Sequence, residues 1–85
     1  MGDASSEASI LEVVKENVVD ILEDVDEALI TMEISLKELG ANSLDRAEIV
    51  TGSMEDLGLS FPMRELAKIS NIGELVTFLH GKANG

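Results

Sequence analysis

Apolar residues in the first third of the chain recur at steps of three and four: Ile10, Leu11, Val14, Val18, Ile21, Leu22 and Val25. Acids Glu12, Glu16, Asp20 and Glu23 occupy the other side of the same projection. That is the spacing of an amphipathic helix, not of a strand, and it predicts a helix from Ser9 to Glu23. The acids at 12, 16 and 20 stack one turn apart and repel one another, so that face is solvated. A helix with one apolar stripe has to bury it against other elements, and 85 residues leave room for a single small domain. A chain of this size buries only about 60–65% of its unfolded surface, so the core is thin.

The remainder of the chain offers more helices. Residues 24–42 alternate, with Ile30, Met32, Ile34 and Leu36 set between Thr31, Glu33 and Ser35. Alternation is strand periodicity, but a lone strand has no partner here. The segment therefore reads as an extended loop whose apolar residues plug the core, with a short turn capped by Ser35 and ended by Gly40. Ser43 opens a second helix with Ala47, Val50, Met54 and Leu57 on one face, Ile49 beside it and Gly58 as C-cap. Gly52 in its middle costs about 1 kcal/mol against alanine, which suggests either a close approach or local slack there. Pro62 forces a new start, and Met63 to Lys68 form at most a short helix. Asn71, with Glu74 three residues on, caps a last helix whose inner face is Ile72, Leu75, Val76 and Leu79. The expected fold is all-α: a small four-helix bundle of three main helices and one short one, with a long loop after the first. Residues 1–8 read as a flexible N-terminus, 9–80 as the folded domain and 81–85 as a flexible tail. Met1-Gly2-Asp3-Ala4-Ser5-Ser6 fits a myristoylation signal formally, but no polybasic stretch supplies a second anchor, so it reads as a flexible start.

Composition removes whole classes of chemistry. The absence of cysteine excludes disulfides and zinc-thiolate sites, and His80, the sole histidine, cannot build a multi-histidine metal site. A formal charge of −11 with two Phe, no Trp and no Tyr opposes nucleic acid, which asks for a basic face and stacking platforms. No apolar run approaches the roughly 18 residues of a membrane span, and no signal peptide opens the chain. The expectation is an acidic cytoplasmic protein, monomeric, with no nucleic acid and no membrane among its partners, that meets basic protein surfaces. Its charge is concentrated early: eleven acids face only Lys15 and Lys37 in residues 1–42.

Few residues are left to carry chemistry. Asp24-Val25-Asp26 starts like a calcium loop, but Ala28 and Leu29 stand at the fifth and sixth positions where a ligand and glycine belong. His80 falls near the end of the last helix, where a cation suits the dipole. Ser43 lacks a Gly-x-Ser-x-Gly elbow, and only His80 could serve it as a base. Its distinction is its place where loop becomes helix, with unpaired N–H groups and the positive dipole end close by. Two readings fit that position. Ser43 is either the helix cap or the bearer of a phosphate ester stabilised by the same field.

The run Leu36-Lys37-Glu38-Leu39-Gly40-Ala41-Asn42-Ser43-Leu44-Asp45-Arg46-Ala47-Glu48-Ile49 resembles the attachment motif of acyl carrier proteins, Leu-Gly-x-Asp-Ser-Leu-Asp followed by apolar, acid, apolar. The resemblance extends over residues 8–80, through the acidic first helix, the long loop, Leu59-Ser60-Phe61-Pro62 and Ile72-Gly73-Glu74-Leu75. It implies a non-catalytic carrier in which Ser43 takes 4′-phosphopantetheine from coenzyme A through a phosphodiester. The thiol of that arm would hold acyl groups as thioesters, which imports the sulfur this chain lacks. It further implies that Leu44, Asp45 and Glu48 meet partner enzymes: a phosphopantetheinyl transferase and an acyltransferase or ketosynthase. Asp45 and Glu48 also read as first-turn acids favoured by the dipole, and the two readings can hold together. Two positions depart from the family. Asn42 replaces the usual aspartate, and Arg46 puts a cation in the partner-facing first turn. The Gly-Ala-Asn-Ser-Leu-Asp-Arg-Ala-Glu-Ile run is similar to free-standing carriers of polyketide β-branching cassettes, which donate acetyl units to a hydroxymethylglutaryl-synthase-like enzyme. The alternatives are a peptidyl carrier of non-ribosomal peptide synthesis and an acidic helical adaptor with no prosthetic group, in which Ser43 is only a cap.

Overall fold

A computed structural model describes residues 6–84. It is all-helical, and no strand occurs among the described residues. Helix α1 spans Glu7–Ile21, α2 spans Ser43–Leu57 and α3 spans Ile72–Asn84. Two 3-10 turns, Glu27–Leu29 and Met63–Leu66, punctuate the connections. The expected short helix after Pro62 is thus a single 3-10 turn, and the turn at Glu27–Leu29, closed by Asp26 Oδ1 accepting from the Ala28 N–H at 2.9 Å, was not foreseen.

The core is assembled from the stripes that periodicity marks. Ile10, Val14 and Val18 of α1 meet Ile49, Val50 and Met54 of α2 and Ile72, Leu75, Val76 and Leu79 of α3, all buried. Helix α1 packs against both other helices, whereas the backbones of α2 and α3 lie farther apart. The long connection supplies Ile30 and Ala41 to the core, with Met32, Ile34, Leu36 and Leu39 packed against it. Its alternation therefore does what was expected of it, as a plug. Ser35 and Glu38 form a reciprocal cap within it, at 3.0 Å in both directions, and Gly40 turns the chain at φ 99°. The plug is held by its carbonyls: the Ile72 N–H donates to Ile34 O and the Gly73 N–H to Met32 O, each at 2.8 Å. These are amides that the first turn of α3 cannot satisfy itself.

Two glycines are required by close approach. A Cβ on Gly73 would lie 2.8 Å from the Met32 carbonyl oxygen. A Cβ on Gly52 would run into the Asn17 side chain of α1, which donates to Val13 O at 2.9 Å and to Asp56 Oδ2 at 3.0 Å. The close approach suggested by the mid-helix glycine is thus a polar bridge between α1 and α2. Ser53, fully buried on the same helix, satisfies its hydroxyl by donating to Ile49 O at 2.8 Å.

Both ends of the folded domain differ from expectation. Helix α1 begins at Glu7, because Ser6 is its cap: the Ser9 N–H donates to Ser6 Oγ at 3.2 Å. Ser9, expected to begin the helix, lies inside it. Helix α3 continues past Gly81 to Asn84, where a mobile tail was expected. Lys82 explains the extension: its ammonium meets Glu65 Oε1 at 2.8 Å and sits over the rings of Phe61 and Phe78, 5.5 and 5.4 Å from their centroids. The rings pack edge to face at 5.0 Å. Lys82 accordingly takes the last-turn position against the dipole that was expected of His80, and His80 lies one turn inside, its carbonyl accepting from Asn84 Nδ2 at 2.9 Å. The Met1–Ser5 part of the formal myristoylation signal and Gly85 lie outside the described residues.

Candidate functional site

The start of α2 gathers the residues singled out from the sequence and assigns each polar group one task. Asn42, not Ser43, is the cap. Its Oδ1 accepts from the Asp45 N–H at 2.8 Å, and Asp45 Oδ2 accepts from the Asn42 N–H at 3.3 Å, a capping box with aspartate at its third position. The Asn42 carbonyl accepts the first helical bond, from the Arg46 N–H at 2.9 Å. The cap reading of Ser43 is thereby corrected: Asn42 meets the need, and Ser43 is the first residue of the helix proper.

That frees the Ser43 hydroxyl, which is exposed. It accepts from Arg46 Nη2 at 3.2 Å, a pairing that the three-residue spacing permits and that the sequence reading did not anticipate. Leu44 keeps 67% of its surface in solvent. Glu48, one turn on, is also exposed. Asp45 is half-buried and engaged in the cap, so of the two expected partner-facing acids only Glu48 stands clear of the fold.

Ser43 borders a cleft of ≈ 820 Å³ between the long loop, α2, the second 3-10 turn and the start of α3. The size suits a small organic ligand. Its apolar lining includes Leu36, Ala47, Val50, Leu66, Ile69 and Leu75, and its polar lining includes Ser43, Arg46, Lys37, Glu33 and Ser70. Leu44, Asp45 and Glu48 do not line it. The first turn of α2 therefore has two faces, Ser43 and Arg46 toward the cleft, Leu44 and Glu48 away from it. Ser70 of the cleft lining is held by Glu74, whose Oε1 accepts from the Ser70 N–H at 2.7 Å and the Ser70 hydroxyl at 2.8 Å. Those bonds, the backbone one foremost, hold the Glu74 carboxyl below its ordinary pKa. Asn71 Oδ1 accepts from the Glu74 N–H at 2.7 Å, which completes the expected cap, although Glu74 reaches Ser70 instead of Asn71. Ser70 and Asn71 as cleft residues carried no sequence signal, since the segment before a helix cap is read only for capping.

The arrangement can hold a phosphate-linked group. An exposed hydroxyl stands in the first turn of a helix, where the field favours anions, a guanidinium already reaches its oxygen, and a partly apolar cleft opens beside it. No group of His, Asp and Glu among the described residues could hold a metal ion, and no described helix is long and apolar enough to cross a membrane.

Comparison with known proteins agrees with this chemistry. The family model of the phosphopantetheine attachment site matches residues 12–79. The polyketide biosynthesis acyl-carrier-protein AcpK of Bacillus subtilis (strain 168) is 45% identical over 73 residues, covering 86% of this chain and 89% of that protein. An acyl carrier protein of Helicobacter acinonychis (strain Sheeba) is 37% identical over 57 residues, 66% of this chain and 73% of its own. Helical architecture, a serine presented beside a cleft and a match over most of the folded residues converge: the chain belongs to the acyl carrier protein family, non-catalytic carriers that bear 4′-phosphopantetheine.

Proposed function

We propose that Ser43 is the residue that receives 4′-phosphopantetheine, and that the protein carries short acyl thioesters in polyketide biosynthesis. The observation that carries the assignment is the capping box of Asn42 and Asp45. It removes the structural duty that would otherwise account for a serine at this place, and leaves the hydroxyl exposed at the cleft. The arm supplies the thiol that a cysteine-free chain lacks. The chain's own residues present the serine, steer docking and offer the cleft. The adaptor reading, with no prosthetic group and Ser43 only a cap, is disfavoured by the match to the phosphopantetheine attachment site and by Asn42 taking the cap. The polyketide assignment draws on the 45% identical relative named for that pathway, and it is preferred over a peptidyl carrier for the same reason.

Docking is assigned to Leu44, Glu48 and Asp45; Arg46, expected with them in the partner-facing first turn, lines the cleft instead. An exposed leucine offers an apolar contact to a partner pocket, and Glu48 with the wider acidic surface steers basic patches at long range. The partners are a phosphopantetheinyl transferase, an acyltransferase or ketosynthase, and a hydroxymethylglutaryl-synthase-like enzyme to which this cytoplasmic, monomeric carrier donates acetyl in β-branching. The donor role rests on the Asn42 and Arg46 departures around the serine. The deciding experiment is intact mass after incubation with coenzyme A and a broad-specificity transferase. Wild type gains one phosphopantetheine and Ser43→Ala gains none. Equal gain in both, or gain in neither while a control carrier is modified, refutes Ser43. The loaded protein, acetylated on its arm, then transfers acetyl to a hydroxymethylglutaryl-synthase-like enzyme, and retention of all acetyl refutes the donor role.

A further inference from the structure

We infer that Arg46 is a positioning residue for the phosphodiester at the root of the arm: its guanidinium holds the phosphate oxygens and keeps the arm on the cleft side of α2. The inference rests on Ser43 as the attachment residue. Arg46 Nη2 already reaches Ser43 Oγ at 3.2 Å. When the Ser43 hydroxyl loses its proton and displaces 3′,5′-ADP from coenzyme A, that oxygen stays in place as the bridging atom, and a phosphorus stands one bond away with two non-bridging oxygens that share one negative charge. A bridging ester oxygen is a poor acceptor beside them, so the planar fork of donors transfers to the charged oxygens, where it binds more strongly.

Three features of this chain leave Arg46 available for that task. The two ion pairs among the described residues use Lys15 with Glu12 and Lys82 with Glu65, so Arg46 pairs with no carboxylate there. Asp45, its neighbour, turns its carboxylate back to the Asn42 N–H. Asn42 caps with a neutral amide, where an aspartate would set a charge next to Ser43 to repel the phosphate and compete for the guanidinium. The direction follows from placement. Arg46 and Ser43 both line the cleft, and Leu44 and Glu48 do not. A phosphate held by Arg46 thus starts the arm toward the cleft, not toward the docking face.

The test uses loaded wild type, Arg46→Gln and Arg46→Lys, each confirmed by intact mass, so that failure of Ser43 to load is seen before phosphorus is examined. Phosphorus NMR is recorded at low and high salt. In low salt the wild-type resonance is displaced from that of Arg46→Gln, and its relaxation reports a less mobile arm root. The two converge near 1 M salt, where the screening length falls to about 3 Å from about 10 Å at 0.1 M. Arg46→Lys falls between them, and the unloaded proteins melt alike, which separates positioning from a structural role. In wild type alone, the Arg46 side-chain Nε–H resonance shifts on loading, a readout that stands even where a variant loads poorly. Identical phosphorus shift and relaxation in wild type and Arg46→Gln, or an Arg46 resonance unmoved by loading, overturns the inference and leaves Arg46 as a surface contact for a partner's acid.

Discussion

Gly73→Ala tests whether the loop that walls the cleft is held by the first turn of α3. The new methyl would stand 2.8 Å from the Met32 carbonyl oxygen and 3.4 Å from Asn71 Oδ1. A backbone oxygen cannot swing aside as a long side chain does, so the loop must lift. Lifting breaks the Gly73–Met32 bond and strains the Ile72–Ile34 bond beside it, both 2.8 Å long. Two such bonds contribute about 0.5–1.5 kcal/mol each, a loss on the order of 1–3 kcal/mol. Alanine returns up to about 1 kcal/mol of helix propensity. Against the full offset the expected net effect is a destabilisation of up to about 2 kcal/mol, as much as roughly 8–16 °C in Tm for a domain of this size. Gly81→Ala is the matched control. It lies in the same helix with nothing within 4 Å of its Cβ position, so the propensity gain is unopposed and Tm rises by up to about 4–8 °C. Thermal and urea unfolding followed by far-UV circular dichroism measures both, and hydrogen exchange reads the Ile72 amide directly. The reasoning is refuted if Gly73→Ala is as stable as wild type with the Ile72 amide still protected.

Three further outcomes follow from the geometry. Asn42→Ala removes the cap and costs about 0.5–2 kcal/mol, whereas Ser43→Ala, which caps nothing, stays within about 0.5 kcal/mol; equal losses by urea unfolding would return the capping role to Ser43. Glu48→Lys slows enzymatic loading without lowering Tm, while Asp45→Lys slows it and also lowers Tm, because it destroys half of the capping box and puts a cation at the positive end of α2; unchanged loading rates in both refute the docking role. The folded-state pKa of Glu74 is depressed, so its contribution is complete above the ordinary glutamate range and is lost as pH falls through the lowered value; Glu74→Gln therefore flattens the acid limb of the stability–pH profile, and an unaltered limb shows that the Ser70 bonds do not favour the charged form.

Much of this molecule was legible because its stripes are local. Val14 and Val18, or Leu75, Val76 and Leu79, announce both helix and buried face, and α2 begins and ends where Ser43 and Gly58 indicate. The errors arose where several residues satisfy one local rule. Ser5, Ser6 and Ser9 are all admissible caps, and only the observed bond from the Ser9 N–H to Ser6 Oγ chooses between them. Asn42 and Ser43 are likewise adjacent cap formers, and the choice between them decides whether Ser43 is structural. The end of α3 was missed for another reason. Gly81 reads as a stop, and the cation that carries the helix past it is fixed by Phe61 and Glu65, far back in the chain. The strand-like alternation of Ile30 to Leu36 showed which residues enter the core. It carried no information about the carbonyls of Met32 and Ile34, whose partners lie on α3.

The cleft sits where the bundle is least braced, and this links the fold to the work of a carrier. Helix α1 holds α2 and α3 and contributes no residue to the cleft lining. The cleft is bounded on its other sides by a loop and a 3-10 turn, fastened to α3 by the Ile72 and Gly73 amides, the Glu74–Ser70 bonds and the Lys82–Glu65 pair. Fastenings of this kind are exposed or few, and such regions open at lower free energy than a packed helix pair. Parting of Leu36, Leu66 and Ile69 would thus disturb the packing of Val14, Val18, Ile49 and Val76 least. A bundle braced by a third helix across that face would be more stable and would have no room to open beside Ser43.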